Sequence, residues 1–335
     1  MRSFLRIGVL TLPLLVAAAC GGRSSTTYGD ANSIVLITTD SVWEASGPAV
    51  EQILEPRIMT VRDERTFEIT PVAPDDPALK TYRRWRQVLV VGEATDPWVA
   101  EVLEGAPALP DTLPAIVERD EVWARDQRVT AVVLPQGGGA ESFIAILPEL
   151  HRLLDQRFRA YVRTRMFVSG RNDSLQAALR AQSGFGLLLP SVYTVQQPNE
   201  NTYIFRNDQM VGGILERVIL VTWRQGATPL SAEEIQEWRD VVSAQHHHPV
   251  QKRQPGLVET QTIEGYGPGA LEVRGAWEGD LDGFPLAGPY ITRSVVCPTQ
   301  DRTYLLDASL YAPGRDKYEY MLQLETILNT FECGA

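Results

Sequence analysis

YITRSVVCPTQDRTYLLDASLYAPGRDKYEYMLQLETILNTF, residues 290–331, is the stretch on which the reading of the fold turns. Residues 290–296 have the β-branched and aromatic content of a strand, and 299–302 form a polar turn. Residues 303–311 alternate, which puts Tyr304, Leu306, Ala308 and Leu310 on one face of a returning strand. Ala312-Pro313-Gly314 breaks the chain. Beyond it Tyr320, Met321, Leu324, Ile327, Leu328 and Phe331 recur at helical spacing, which predicts a helix over 315–331. Two antiparallel strands and a helix that folds back over them describe a sheet with one face covered.

Outward from this unit, strands and helices alternate. Strands are predicted at 33–39, 67–72, 87–91 and 128–134, with 87–91 (QVLVV) apolar enough to be central. Trp43, Val50, Ile53 and Leu54 mark a short helix restarted at Pro48. Residues 92–120, rich in proline and acid, read as a long surface excursion. Residues 141–165 form an amphipathic helix carrying Phe143, Leu147, Leu150, Leu154 and Tyr161, kinked at Pro148 or begun there. A second half opens around Ser169-Gly170-Arg171-Asn172, with a helix at 173–182 and strands at 186–196, 201–207 and 216–223. Ser231 and Glu234 then make a capping box, with Leu230 placed to staple onto Ile235, and the helix they open runs to about residue 244. Strands at 257–263 and 270–277 lead into the closing unit. The expected class is α+β, with two α/β sandwich-like halves (33–168 and 169–335) whose mainly antiparallel sheets are covered by helices.

The amino-terminal sequence speaks to location. Arg2 and Arg6 precede an apolar run at 7–16, and Ala17-Ala18-Ala19 leads to Cys20. The run is interrupted by Pro13 and falls short of the ~20 residues a spanning helix needs. LVAAAC-GG resembles the lipobox of bacterial lipoproteins, which implies a signal peptide at 1–19, lipidation of Cys20 and a membrane anchor made by its acyl chains. Residues 20–32 read as a flexible tether opening with Gly21 and Gly22. Gly rather than Asp after the cysteine resembles an outer-membrane sorting signal, so the expected place is the cell envelope, on the outer membrane facing the periplasm.

Composition bounds the rest. The 335 residues are 44% hydrophobic and 22% charged, enough for one large or two medium globular domains. With 42 acidic against 31 basic side chains the net charge is −11, and losing Arg2 and Arg6 with the signal peptide would make it −13. Such a chain does not bind nucleic acid by electrostatics. With Cys20 assigned to lipid, Cys297 and Cys333 remain as an even pair in an oxidising compartment. The closing helix runs back along its strand and returns Cys333 towards Cys297, so the two are candidates for a disulfide closing a loop of about 37 residues; two free thiols are the alternative.

Candidate chemistry is sparse. The histidines are His151 and the run His246-His247-His248. In a helix successive residues point about 100° apart, so the run cannot converge on one ion; in extended chain only His246 and His248 share a side. No cysteine or nearby carboxylate completes a zinc-like set, and an exposed helix end stopped by Pro249 is the plainer reading. His151 sits beside Leu150 and Leu154 as a boundary residue rather than a general base. Gln136-Gly137-Gly138-Gly139 lacks the Lys-Ser/Thr of a phosphate loop, and Gly265-Tyr266-Gly267-Pro268-Gly269 reads as a turn into a strand. Glu278-Gly279-Asp280-Leu281-Asp282-Gly283 opens like a calcium loop, yet position 12 is Pro289, which leaves a polar turn. There is no G-x-S-x-G, H-E-x-x-H or C-x-x-C. Trp43, Trp85, Trp123, Trp223, Trp238 and Trp277 fit a core better than a set of sugar platforms. No cofactor is implied.

An ordered set of motifs carries a resemblance. It runs from Ser41-Val42-Trp43-Glu44 through Asp120-Glu121-Val122-Trp123-Ala124, Leu189-Pro190-Ser191-Val192-Tyr193 and Trp238-Arg239-Asp240. It continues with Arg274-Gly275-Ala276-Trp277-Glu278, Leu286-Ala287-Gly288-Pro289-Tyr290 and Tyr311-Ala312-Pro313-Gly314-Arg315. The set resembles the uncharacterised bacterial lipoproteins of domain-of-unknown-function family 4837, which implies an envelope lipoprotein and transfers no catalytic residue. The hairpin at 187–207 with the closing hairpin and helix is also loosely similar to α/β/α sandwiches of the Mog1/PsbP type, whose members are mostly binding or assembly factors. The expected role is a non-enzymatic binding or assembly module meeting an envelope protein partner. A hydrolase acting on an envelope polymer is the alternative.

Overall fold

The computed structural model describes residues 26–210, 212–267 and 269–334. The signal peptide, Cys20 and the opening of the tether lie outside the described residues. Residues 26–32, assigned by sequence to the tether, already belong to the fold. Thr26 bridges Arg125, and Tyr28 bridges Trp85 and sets its ring edge-on 4.8 Å from the indole. Packing of this half-buried aromatic pair outweighs the chain freedom expected of the tether.

The first group of elements comprises β1 (Ser33–Ile37), α1 (Asp40–Leu54), the hairpin of β2 (Arg57–Met59) and β3 (Asp63–Arg65), β4 (Glu68–Val72) and the short α2 (Leu79–Tyr82). It continues with β5 (Gln87–Glu93), α3 (Pro97–Leu103), β6 (Ala115–Asp120), β7 (Arg128–Leu134) and α4 (Ala140–Met166). The sheet order is β4-β1-β5-β7-β6, parallel except for β6 against β7. Both faces are buried. Ile34, Leu36, Leu89 and Val132 point to α1 and α4, whereas Val35, Ile37, Val88 and Val90 point to α3. That two-sided burial is why these strands read as continuous apolar runs.

Three local expectations are corrected here. The surface excursion at 92–120 contains a helix and an edge strand, α3 and β6, because Val99 and Val102 are buried against the sheet and 115–120 pairs with β7. Helix α1 is not restarted at Pro48, and α4 runs continuously through Pro148. Each proline removes one N–H, a loss outweighed by an unbroken buried stripe such as Phe143, Leu147, Leu150, Leu154, Phe158 and Val162.

The second group begins with α5 (Asp173–Ser183), β8 (Phe185–Gly186), β9 (Thr194–Asn199), β10 (Thr202–Gln209), β11 (Leu215–Gln225) and α6 (Ala232–His246). It ends with β12 (Lys252–Thr262), β13 (Leu271–Leu281), β14 (Phe284–Cys297), β15 (Arg302–Tyr311), α7 (Tyr318–Leu328) and β16 (Glu332–Cys333). Seven strands form one antiparallel sheet in the order β12-β13-β14-β15-β11-β10-β9. One face carries α7 and the segment Phe185–Leu189; α6 covers part of the other. The strand expected at 186–196 is divided, because Leu187 and Leu189 point into this core and pairing resumes only at Thr194. Among the described residues three ladders are parallel, β1–β4, β1–β5 and β5–β7, and the other nine are antiparallel. The molecule is therefore a mixed α+β fold with mostly antiparallel pairing, and its first sheet is the parallel exception.

The two groups share a core. Tyr318 and Leu322 of α7 pack into the cluster beneath β1 and β5, with the Tyr318 ring stacked 5.4 Å from Phe158 of α4. Glu64 of β3 accepts hydrogen bonds from the backbone N–H of Lys317 (2.6 Å) and from its Nζ (3.1 Å). No helix among the described residues is long and apolar enough to cross a membrane. Cys297, at the buried end of β14, and Cys333 of β16 are joined by a disulfide with Cα atoms 5.7 Å apart. Its closure of a 36-residue separation is expected to contribute up to ~4 kcal/mol. Cys333→Ser, or reduction of the native protein, should lower the urea midpoint accordingly, and an unchanged midpoint would show that the bridge adds no stability.

Candidate functional site

Helix α6 begins at its capping box: Ser231 Oγ accepts from the Glu234 N–H at 3.3 Å, and the Glu234 carboxylate accepts from the Ser231 N–H at 2.8 Å. The cap sets which face meets the sheet, and that face carries Ile235, Arg239, Val242 and Ser243. Arg239 is thus driven onto the sheet with its apolar neighbours and is fully buried. Its Nε donates to Asp307 Oδ1 at 2.8 Å and its Nη2 donates to Gln251 Oε1 at 2.7 Å. The guanidinium lies 3.8 Å from the centre of the Tyr290 ring. Thr292 Oγ1 donates to the same Asp307 oxygen at 2.5 Å. Gln251 exchanges two 2.9 Å bonds with Ser243 and donates to Ser309 Oγ at 3.2 Å.

His247 completes the cluster. Its side chain is buried and its Nε2 stands 3.7 Å from Asp307 Oδ2, beyond hydrogen-bond reach but close enough for an electrostatic pull. Burial alone would push the Asp307 carboxyl up; the Arg239 guanidinium, helped by His247 and Thr292, outweighs it and holds the group at about 2. Among the described residues, Arg239 Nη1, Asp307 Oδ2, His247 Nε2, Trp277 Nε1 and Tyr290 Oη have no hydrogen-bond partner.

Sheet register builds a pocket next to this cluster. Asp307 lies opposite Thr292, and one row further on Ser309 lies opposite Tyr290 and Val218. In the row beyond, Trp277 pairs with Gly288, and Tyr311 pairs with Glu216. Gly288 is required there, because a Cβ at that position would lie 2.8 Å from Trp277 Nε1 and against the Leu310 carbonyl oxygen. The 15 residues of α6 span ~22 Å, whereas the 14 residues of β14 span ~46 Å, so the helix ends before the sheet does. The uncovered remainder is a pocket of about 270 Å³, lined by His247, Gln251, Trp277, Ser309, Tyr311 and Leu286.

The histidine run therefore marks a real feature, though not the one its spacing suggested. His247, between the two residues considered as metal ligands, is the buried one. His248 is exposed, and His246 is half-buried, with burial and then the neighbouring His247 lowering its pKa. The exposed-helix-end reading is corrected at His247, because α6 stops where its last turn meets the Arg239–Asp307 pair. Among the described residues no three His, Cys, Asp or Glu side chains gather around one point.

His151 lies elsewhere, at a cleft of about 300 Å³ between the two groups of elements. His151, Asp155 and Arg159 follow at four-residue steps along one face of α4. Arg159 donates to Asp155 at 2.8 Å and to Glu325 at 3.1 Å, and Arg274 donates to Glu325 at 2.9 Å. Arg274 and Arg293 both donate to the buried Glu272, at 2.5 and 2.7 Å. Tyr318 Oη donates to Asp155 at 3.2 Å, and burial followed by that carboxylate drives the phenol pKa upward. Asp155 and Glu325 are thus held by guanidinium groups, and the cleft is an ion-paired seam.

Sequence reasoning missed Arg239 and Asp307. The available signal was an acid inside the apolar run YLLDASLY, on the face opposite Leu306 and Ala308. Several tryptophan faces are occupied by guanidinium groups: Arg83 over Trp123, Arg224 over Trp238 and Arg302 over Trp223, at 4.6–4.9 Å. Gly137 donates its N–H to Glu93 at 2.8 Å, so the glycine run after β7 holds a carboxylate of its own chain. Residues 278–283 form the end of the β13–β14 hairpin, where Asp282 and Gly283 take positive φ and Asp280 accepts from the Gly283 N–H.

Two outcomes are expected of the buried pair. Arg239→Met should cost ~3–5 kcal/mol of unfolding free energy by leaving Asp307 buried without its cation. Because Asp307 titrates below the ~3.9 of an unfolded aspartate, its contribution is complete above that value and is lost as pH falls towards about 2, a change of ~2 kcal/mol. Urea midpoints recorded down this range should fall, and Asp307→Asn should remove that share of the slope.

Comparison with known proteins sets this geometry in context. The family model described as Domain of unknown function (DUF4837) matches residues 172–330, and the one described as Domain of unknown function (DUF8532) matches residues 27–166. No curated protein matches the chain. Among solved structures, a mutant of protein Mog1 shares 7% identity at a TM-score of 0.32, covering 45% of this chain and 90% of its own. The Ran-binding protein Mog1p of Saccharomyces cerevisiae shares 10% at 0.31, with the same coverage. Cyanobacterial PsbP from Synechocystis shares 9% at 0.31, covering 45% of this chain and 86% of its own. The motifs at Ser41 and Asp120 fall within the first matched segment, and the others quoted fall in the second. The chain thus carries a DUF8532 match over 27–166 and a DUF4837 match over 172–330, and the resemblance read from its motifs holds over the second.

Proposed function

We propose that this protein is a lipoprotein of the bacterial cell envelope, anchored through Cys20 on the periplasmic side of the outer membrane. There it works as a binding or assembly module without catalysing a reaction. The observation that carries the reading is the pocket beyond the end of α6: a concavity of about 270 Å³, partly lined by apolar side chains, set against the Arg239–Asp307–Gln251 cluster. The LVAAAC-GG sequence supports the anchor, and the disulfide suits an oxidising compartment. The alternative, hydrolysis of an envelope polymer by a glycosidase-type pair of carboxylates, finds no free pair in the cleft at His151, where Asp155 and Glu325 are committed to arginines.

Crosslinking in intact cells tests the reading with the native protein and a Cys20→Ser form. The native protein is expected to capture a reproducible envelope component that the untethered form loses. Recovery of both forms alone, or cleavage of purified envelope polymer by the native protein, would overturn it.

A further inference from the structure

Besides six valines, of which Val168 is 88% exposed, the exposed large hydrophobics among the described residues are Met210 (69%), Ile214 (36%), Leu281 (38%) and Phe284 (72%), and these four lie at one end of the seven-stranded sheet. Met210 and Ile214 flank the β10–β11 turn, while Leu281 and Phe284 close the β13–β14 hairpin as its last cross-strand pair. Side chains alternate along a strand, so residue parity gives direction. Leu281 shares the parity of Trp277, and Phe284 and Leu286 that of Tyr290; Met210 and Ile214, just outside β10 and β11, line the same pocket. Trp277 and Tyr290 belong to the core under α6. Met210, Ile214 and Leu281 thus frame the pocket floored by His247 and Trp277, and Phe284 continues the apolar face as the partner of Leu281. Both turns are braced: Arg315 donates to the Gly212 and Gly213 carbonyls, and Asp280 accepts from Gly283.

Asp280 has the parity opposite to Leu281 and lies with Asp282 outside the pocket lining; the acid in that lining is Glu216, accompanied by Arg206. Asp208 and Glu216 face each other across β10 and β11, a like-charge pair that costs stability and has no salt bridge to relieve it among the described residues. Burial, then Asp208, raises the Glu216 pKa, with Arg206 opposing. Inside the socket His247 Nε2 and Trp277 Nε1 are buried and have no partner among the described residues.

We infer that the two hairpin ends are the jaws of a docking site for a partner protein segment carrying apolar side chains flanked by lysine or arginine. Apolar side chains from that segment cover Phe284, Leu281 and Met210 and enter the socket. Its cations neutralise the acids that the fold leaves facing one another. An anionic bilayer surface would be repelled by the same acids, and a second copy of this chain would bring acid against acid. The inference rests on the binding-module reading and names the partner's chemistry.

A photoreactive benzoylphenylalanine in place of Phe284, in the native lipidated protein in cells, tests it. The expected adduct maps by mass spectrometry to one protein segment with apolar and basic residues. Asp208→Asn with Glu216→Gln, which removes the two facing charges at nearly constant side-chain size, should lower its yield about fivefold. The same probe at exposed Val241, on α6, should capture nothing at this segment. A lipid adduct, a self-adduct, an acidic segment or a yield indifferent to the two substitutions would overturn the inference. If whole-protein crosslinking still captures a component while the probe at 284 captures none, the docking site falls and the binding-module reading stands.

Discussion

A guanidinium and a carboxylate enclosed between a helix and a sheet determine much of the second half of this molecule. Arg239 and Asp307 are among its least accessible side chains, and taking both charges from water is costly unless every remaining donor and acceptor is placed. Most of that placement is visible. Asp307 Oδ1 takes bonds from Arg239 and Thr292, Gln251 takes the second arm of the guanidinium, and the Tyr290 ring closes the flat side. These partners come from α6, the start of the β12 edge, β14 and β15, so one ion pair sets the position of four elements. The helix cannot slide along the sheet without stranding a charge. Its end point, and with it the boundary of the pocket, is fixed as firmly as the pair.

Charge serves a different purpose at the seam between the two groups of elements. There Glu272, Arg274, Glu325, Arg159 and Asp155 form a chain of alternating sign from β13 across α7 to α4, partly open to solvent. Such pairs add little stability one by one. Their alternation does select a single register of one group against the other, and the buried Glu64–Lys317 pair repeats that selection at the β2–β3 hairpin.

How legible all this was in the sequence depended on whether the cause was local. The capping box of Ser231 and Glu234, the alternation through 303–311 and the stripe of α7 are set by neighbours within a few residues, and they could be read directly. The parallel pairing of β1, β4, β5 and β7 could not, because an apolar run states that a strand is buried but not which way its neighbours point. Pro48 and Pro148 misled for a related reason: helix propensity is local, while the packing that overrides it is tertiary. Arg239, Asp307 and His247 stood in plain view within helical or strand patterns. Their meaning lay in a meeting across 68 positions of chain, which no spacing rule contains.

The sharing of α7 bears on how the chain comes to be folded. Tyr318 and Leu322 complete the apolar cluster beneath β1 and β5, although β1 is made almost 300 residues earlier. A growing chain can therefore assemble the first sheet and lay α1 and α4 on it, yet that layer keeps an open apolar slot until α7 has been synthesised. During that interval the side of Phe158 that Tyr318 will cover has only solvent or a chaperone to face, although Phe67 already packs on it from the first group. The two matched segments are separate in sequence but finish folding together.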